Sequence, residues 1–282
     1  MSGTDAQTAF AARPAPTRMP AVPSALWVLF RLGARELAIS KKTLVVMLLG
    51  AALVVLFLGA RIMMTFGWIP TSQAGVIFGA VVTEAFVRFF LPVLSLFYGA
   101  AVVTDEIEGR TLTYLTTRPI DKRVILLGKF LAFVAVTVFL LETTLFFCWL
   151  VMATAPGPSG IVTHLHLLAK DGTATALGIF AYGAFFTYLG ATMRRPAIPG
   201  LVFTFVWEQM ASLIPGNIQR FTILHYLQSL TPHALSSDDT LLASIVTKEH
   251  PLVAVAALLA ITALFCALAA AAFHGREYRL EK

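Results

Sequence analysis

The sequence predicts an all-α polytopic membrane protein with six transmembrane helices, and three observations support this fold class. The chain has 282 residues, of which 58% are hydrophobic and only 13% are charged, about half the charged fraction of a soluble domain. Apolar runs long enough to cross a bilayer recur along it. One charged stretch, "TDEIEGRTLTYLTTRPIDKR" from Thr104 to Arg123, separates two of these runs. The composition therefore excludes a soluble globular protein.

The chain before the first apolar run divides into two parts. Residues 1–23 are rich in Ala, Pro and Thr without an apolar period, which predicts a disordered cytosolic tail. From Ser24 the apolar residues surround a narrow polar stripe that holds Arg31 and Arg35. This pattern predicts an amphipathic elbow helix in the membrane interface over residues 24–42.

The transmembrane domain is predicted over residues 43–273, because six segments approach or exceed the length needed to span a bilayer. These segments are Thr43 to Arg61, about Gly75 to Val103, Val124 to Met152, Thr173 to Met193, Ile198 to Ile214, and Pro251 to Phe273. The second and third are longer than one bilayer thickness, so they should tilt or project into the cytosol.

The distribution of basic residues predicts the topology. With the N-terminus in the cytosol, the exterior segments hold only Arg61, Lys170, Arg220 and Lys248 of the 21 basic residues. Positive charge marks cytosolic loops, so both termini are predicted to be cytosolic, including the tail 274–282. The exterior loops are then 154–172 and 217–249. The net charge of +6 indicates this topology and not nucleic-acid binding.

The charged stretch predicts a short helix over residues 104–121. Its apolar residues Ile107, Leu112 and Leu115 recur at helical spacing, and Pro119 ends the pattern. An ordinary solvated loop is the alternative. An amphipathic helix between two overlong spans favours a docking surface for a soluble partner.

The same stretch carries a family resemblance. The string "DEIEGRTLTYLTTRPIDKRVILLGKF" resembles the ABC-2 family of ATP-binding-cassette transporter permeases, whose signature runs from paired acids through Gly, Thr-Leu and Pro to Gly-Lys. Arg110 separates Gly109 from Thr111 here, where many relatives have Gly and Thr adjacent. The residues that the resemblance assigns to ATPase coupling are Asp105, Glu106, Glu108, Gly109, Arg110, Thr111, Leu112, Leu115 and Pro119.

The resemblance implies a permease subunit with the ABC-2, or type V exporter-like, fold. It implies a homodimer, or a pair with a similar permease, in the bacterial inner membrane. Separate ATPase subunits bind ATP and Mg²⁺ and dock on the coupling helix. The implied function is export of a substrate. The alternative is an ATP-driven mechanotransmitter that acts on a periplasmic partner protein without moving a classical small solute.

The chain itself has no nucleotide-binding motif. "LLGKFL" places Phe130 after Gly128 and Lys129, where a phosphate-binding loop needs Ser or Thr, and the earlier glycine is missing. His164 and His166 lack a third firm ligand, so the sequence predicts no metal site. We therefore expect no enzymatic activity and no cofactor bound by this chain.

Several polar residues lie at membrane depth, where they are costly and informative. Glu84 and Arg88 can pair on one face of the second span, Glu142 lies in the outer part of the third, and Glu208 follows Trp207 in the fifth. Two readings stay open: these groups hold the bundle together, or they line a substrate path at the dimer seam.

The segment after the fifth span has its own pattern. Pro215 and Gly216 break the apolar run, and residues 217–230 then have an amphipathic spacing. This pattern predicts an interfacial helix, with the break forming a re-entrant turn at the outer surface.

Overall fold

The computed structural model describes residues 22–108, 122–153, 161–214, 217–231 and 249–275, and all regular structure in these ranges is helical. The ten α-helices in the described ranges are α1 (Val22–Ala38), α2 (Lys41–Thr65), α3 (Ala74–Val81), α4 (Leu91–Glu108), α5 (Lys122–Ala153), α6 (Ile161–Thr192), α7 (Ala197–Val202), α8 (Glu208–Leu213), α9 (Ile223–Leu230) and α10 (Pro251–Gly275). Two π-helical segments, Val82–Phe90 and Phe203–Trp207, join α3 to α4 and α7 to α8.

Five continuous helical segments of the described chain are long and apolar enough to span a membrane: Lys41–Thr65, Thr71–Thr104, Arg123–Ala153, Leu165–Thr192 and Pro251–Phe273. The predicted fifth span is shorter than these. It forms one helical stretch from Ala197 to Leu213, which extends about 25 Å at 1.5 Å per residue, against a hydrocarbon core of about 30 Å. The multi-pass helical fold is confirmed, whereas the count of six full spans is not.

The centre of the bundle is the contact between α4 and α6. A side chain at Gly190 would place its Cβ 2.7 Å from the carbonyl oxygen of Ala100, and one at Gly99 would lie 3.1 Å from that of Gly183. Thr187 Oγ1 donates to the Gly99 carbonyl at 3.2 Å. Small residues that let backbones approach are the usual means of joining helices in a bilayer, so these glycines fix the second span against the fourth.

The elbow helix α1 packs along α5 in the same manner. A Cβ at Gly33 would lie 3.1 Å from Ala132 Cβ, and one at Gly128 would lie 2.9 Å from Leu29 Cβ. The helix begins at Val22, slightly before the predicted start at Ser24. Ala25 and Leu29 are buried on this face while Trp27 is exposed, as an amphipathic helix at the edge of the bundle requires.

The turn between α1 and α2 is tied to the second span. Ser40 caps α2 by accepting a hydrogen bond from the Thr43 backbone N–H at 3.2 Å. The Thr43 hydroxyl in turn lies 2.9 Å from the Tyr98 hydroxyl on α4. Both Thr43 and Tyr98 are buried, so the elbow is linked to α4 through a polar contact inside the bundle.

The second span widens into a π-helix just before a proline. The Leu91 N–H bonds to the Phe86 carbonyl, five residues back, and Pro92 follows immediately. Proline has no N–H and clashes with the carbonyl four residues earlier, here that of Arg88. The wider π register accommodates Pro92 without ending the helix, so α3, the π segment and α4 form one continuous rod.

The chain after α8 folds back into the bundle. It turns at Ile214 and passes through a short 3₁₀ helix, Asn217–Phe221, to α9. Five of the eight α9 residues are buried, including Leu224 and Leu227, and a Cβ at Gly178 of α6 would lie 3.0 Å from Leu227. The expected amphipathic helix exists at Ile223–Leu230, and most of its residues are buried against neighbouring helices.

Two helix boundaries differ from the sequence pattern. α6 begins at Ile161, so residues 161–172 of the expected exterior loop are helical, and Asp171 is fully buried. α4 continues to Glu108, so the backbone of Asp105, Glu106 and Glu108 belongs to the end of the second-span helix. The rest of the predicted coupling helix, residues 109–121, lies outside the described residues.

Candidate functional site in the membrane

Glu208 stands where α8 begins and is 1% exposed. Its Oε2 accepts a hydrogen bond from the Tyr182 hydroxyl of α6 at 2.6 Å and from the Leu224 backbone N–H at 3.0 Å, while Oε1 accepts from the Ile223 N–H at 3.1 Å. The donors at residues 223 and 224 are the first backbone N–H groups of α9. The carboxylate therefore binds the positive end of that helix.

This contact explains why the chain folds back. The initial N–H groups of a helix have no partner within the helix and are costly to bury unpaired. Glu208 supplies two of those partners from the middle of the bundle, and Thr222 supplies another by accepting from the His225 N–H at 3.3 Å. The polar group therefore holds α9 in place against α6 and α8.

Glu84 and Arg88 form a second polar cluster, on the π segment of the second span. Arg88 Nη1 lies 3.2 Å from Glu84 Oε1 and donates to Oε2 at 3.3 Å. With the Gln228 amide oriented so that its oxygen faces Arg88, this oxygen accepts from Nε at 3.2 Å and from Nη2 at 3.0 Å. The arginine thus connects the second span to α9.

The pair is accessible despite its depth. The Glu84 side chain is 62% exposed and the Arg88 side chain 33%. Arg88 lies about 24 Å along the helix from the end of the span at Thr104, well inside the membrane-spanning part. A charge exposed at this depth requires water or a partner polar surface, because hydrocarbon does not solvate it.

The two π-helical segments meet beside this cluster. The rings of Phe89 and Phe205, one from each segment, have centroids 5.9 Å apart. Trp207 is 47% exposed and ends the second π segment. π-helical turns occur frequently at functional sites, so their meeting beside an exposed ion pair marks this face of the second span and the α7–α8 rod as the candidate functional site.

Glu142 belongs to a third cluster, between α5 and α6. Its Oε1 accepts from the Thr175 hydroxyl at 2.7 Å. A Cβ at Gly172 would lie 2.7 Å from Oε2, so the absence of a side chain there allows the carboxylate to reach α6. Glu142 also contributes to the wall of an otherwise largely apolar cavity of about 870 Å³ beside α1.

The structure does not bring the five predicted intramembrane residues into one site. Glu84 and Arg88 are paired and exposed, Glu208 is buried beneath α9, and Glu142 lies elsewhere between α5 and α6. Tyr182, Gln228 and Thr175, the partners of these residues, were not predicted, because pairing between distant helices leaves no local pattern in the sequence.

The structure does not describe the side chains of the remaining predicted site residues, which belong to the predicted coupling helix. The side chains of Asp105, Glu106 and Glu108, and all of Gly109, Arg110, Thr111, Leu112, Leu115 and Pro119, lie beyond the described part of the chain. Their role in ATPase coupling stays a prediction. Across the described ranges there is no group of three His, Cys, Asp or Glu residues that could hold a metal ion.

Comparison with known proteins agrees with this helical architecture. The model of the family described as "ABC-2 family transporter protein" matches residues 71–278, which covers the second span through α10 and includes the charged stretch. No curated protein matches the chain. The chain is a multi-pass membrane protein that belongs to the ABC-2 family of transporter proteins and is a permease subunit of an ABC transporter.

Proposed function

We propose that this permease is a homodimeric exporter, moved by a separate ATPase that binds the segment around residues 104–121. Two copies would place their exposed second-span faces toward each other, in the bacterial inner membrane with both termini cytosolic. Substrate would pass along the Glu84–Arg88 face. ATP and Mg²⁺ would bind the ATPase partner.

The exposed Glu84–Arg88 pair is the observation that carries this proposal. A charged side chain exposed to lipid at this depth is costly. The outer surfaces of other spans carry apolar residues instead. The first and last spans expose mainly apolar residues such as Leu48 and Leu259, as lipid-facing helices should. The Glu84–Arg88 face is therefore the surface suited to water, to a second copy or to cargo.

The length of the second-span rod supports the coupling part of the proposal. The continuous helix runs from Ala74 through the π segment to Glu108, and α5 starts again at Lys122. A force applied to residues 109–121 would therefore act on the end of a rod that carries Arg88. Rigid-body movement of packed helices is a common way to transmit such a force.

The coupling role can be tested with a proline at the predicted docking helix. The tagged full-length chain would be solubilised, pulled down with its bound ATPase and assayed for ATP hydrolysis. Gly109→Pro removes a backbone donor and obstructs the preceding turn, so we expect loss of the ATPase or of stimulated hydrolysis. Gly109→Ala is the matched control because it keeps the N–H.

Two results would change the proposal. Full ATPase binding and stimulated hydrolysis in Gly109→Pro would contradict the coupling role. Coupled hydrolysis together with a co-purifying exterior protein, and no transported solute in sealed vesicles, would favour the ATP-driven mechanotransmitter on a periplasmic partner.

A further inference from the structure

A pocket of about 400 Å³ lies where the second span meets the turn between α6 and α7. Three basic side chains line it: Lys42 from the second residue of α2, and Arg194 and Arg195 from the turn. Thr104 of α4 lies on the same lining. The volume falls within the range of about 300–1,000 Å³ that is usual for small-molecule sites.

The three basic residues come from separate parts of the chain. Lys42 is the second residue of the first span, and Arg194 comes two residues after the fourth span ends at Thr192. Segments about 150 residues apart in sequence thus place their positive charges around one cavity. This convergence distinguishes the pocket from the general excess of basic residues in cytosolic loops.

The arginines are available to a ligand. Both are exposed, and no ion pair to either is present within the described ranges. A guanidinium offers a fork of donors that matches the oxygen atoms of a phosphate and can bind two of them at once. Two adjacent guanidinium groups and an ammonium group therefore suit a phosphate group better than a single carboxylate.

One wall of the pocket is apolar. Leu96 and Ala100 of α4 lie there with the more exposed Phe97 and Ile198, which are 53% and 68% accessible. A free phosphate ion would gain no binding free energy from such a wall, because it has no apolar surface to bury. An acyl chain leaving the headgroup would cover these side chains and remove their apolar surface from water.

We propose that this pocket binds the phosphate headgroup of an anionic phospholipid from the cytosolic leaflet. Arg194 and Arg195 hold the phosphate, Lys42 adds positive charge on the same lining, and the acyl chains lie against Phe97 and Ile198. The lipid then bridges the inner ends of the first and fourth spans across α4. This inference goes beyond the transport proposal, since it requires neither cargo nor the ATPase.

The test uses the full-length chain purified from nanodiscs that contain equal amounts of phosphatidylglycerol and phosphatidylcholine. Native mass spectrometry would count each lipid retained per chain. We expect preferential retention of phosphatidylglycerol, and a fall in its ratio to phosphatidylcholine of about fivefold for each arginine removed. The test variant is the double change Arg194→Gln, Arg195→Gln.

Lys41→Gln is the matched control, because Lys41 neighbours Lys42 at the same level but does not line the pocket. It should leave the lipid ratio unchanged. An unchanged ratio in the double arginine variant would overturn the proposal, as would an equal fall in Lys41→Gln, which would indicate a general attraction of anionic lipid.

A soluble phosphate compound is the alternative occupant of the pocket. Glycerol phosphate added at millimolar concentration should not displace phosphatidylglycerol, because it lacks the acyl chains that cover the apolar wall. Displacement at that concentration would overturn the assignment to a lipid. Phe97→Ser separates the two sources further: we expect it to reduce lipid retention, whereas an unchanged retention would contradict the acyl-chain contact. Elution of every variant at the wild-type position in size-exclusion chromatography would show that it is folded.

Discussion

Glu208 and Glu84 are both carboxylates inside membrane-spanning architecture, but their surroundings are opposite. Glu208 is 1% exposed and accepts three hydrogen bonds from α6 and α9. The Glu84 side chain is 62% exposed, and its ion pair is with Arg88 one turn away on the same helix. A buried acceptor with several partners on other helices holds a fold together, whereas the exposed Glu84 carboxylate is left available for function.

This difference in surroundings bears on the two readings that the sequence left open. For Glu208 the geometry favours the structural reading, because each of its oxygens is engaged and the α9 helix start depends on it. For Glu84 and Arg88 the geometry favours a surface that meets water, cargo or a second copy. Four substitutions can test this division, in order of decreasing effect on stability.

The largest loss of stability should follow Glu208→Leu. The substitution leaves two α9 backbone N–H groups and the Tyr182 hydroxyl without their acceptor, and a buried donor left unsatisfied costs about 1–3 kcal/mol. We expect a loss of at least about 3 kcal/mol, measured as a lower melting temperature in detergent and a smaller folded fraction. Glu208→Gln keeps an oxygen acceptor and should lose less. Wild-type stability in the leucine variant would refute the structural role.

Tyr182→Phe should have a moderate effect. It removes one of the three donors to Glu208 while keeping the buried ring, and hydrogen bonds between membrane helices contribute about 0.6 kcal/mol on average and up to about 1.7 kcal/mol. The measurement is again thermal unfolding. If the change were made together with Glu208→Leu, we expect little additional loss, because the two residues share one contact. Fully additive losses would argue against that shared contact.

Thr175→Val should have a smaller effect. It removes the hydroxyl that donates to Glu142 Oε1 and keeps the shape of the side chain. Glu142 is only partly buried, so water can replace part of the lost bond, and we expect a cost of about 0.6 kcal/mol or less. Thr173→Val, two residues earlier on an exposed face of α6, is the control. A loss of stability as large as that of Glu208→Leu would show that Glu142, like Glu208, holds the fold together.

Glu84→Gln should leave stability within about 0.5 kcal/mol of wild type, since exposed ion pairs contribute little. Its effect should instead fall on transport in sealed vesicles that contain the ATPase partner, where we expect a clear loss of rate. The folded fraction and ATPase binding serve as internal controls. A variant with normal transport would remove Glu84 from the proposed path.

Sequence reasoning identified much of the fold, because the bilayer imposes length and composition on each span. The runs that begin near Thr43 and Pro251 correspond closely to α2 and α10. Prediction was poorer where polar residues occur inside helices. Residues 161–172 contain His164, Lys170 and Asp171, so this segment has the composition of a loop. It nevertheless forms the first turns of α6. Asp171 is buried because α5 packs against it, and packing between helices cannot be predicted from local composition.

The candidate site was predicted only in part for the same reason. The i, i+4 spacing of Glu84 and Arg88 lies on a single helix, so the sequence contained their pairing. Gln228 and Tyr182 lie on other helices, and their approach depends on how α9 returns into the bundle. The π segment is an intermediate case, since Pro92 marks a local disturbance but does not say that the helix widens and continues.

The sequence by itself determined that the protein is a helical membrane protein, because hydropathy follows from local composition. The charged stretch between two spans added the resemblance to the ABC-2 permeases, which the family match confirms. The sequence also located the acids and bases at membrane depth. Only the tertiary structure decided which of them are buried and which are exposed, because burial depends on the neighbouring helix and not on the residue. The short α7–α8 rod and the return of α9 onto Glu208 were settled in the same way, by partners far away in sequence.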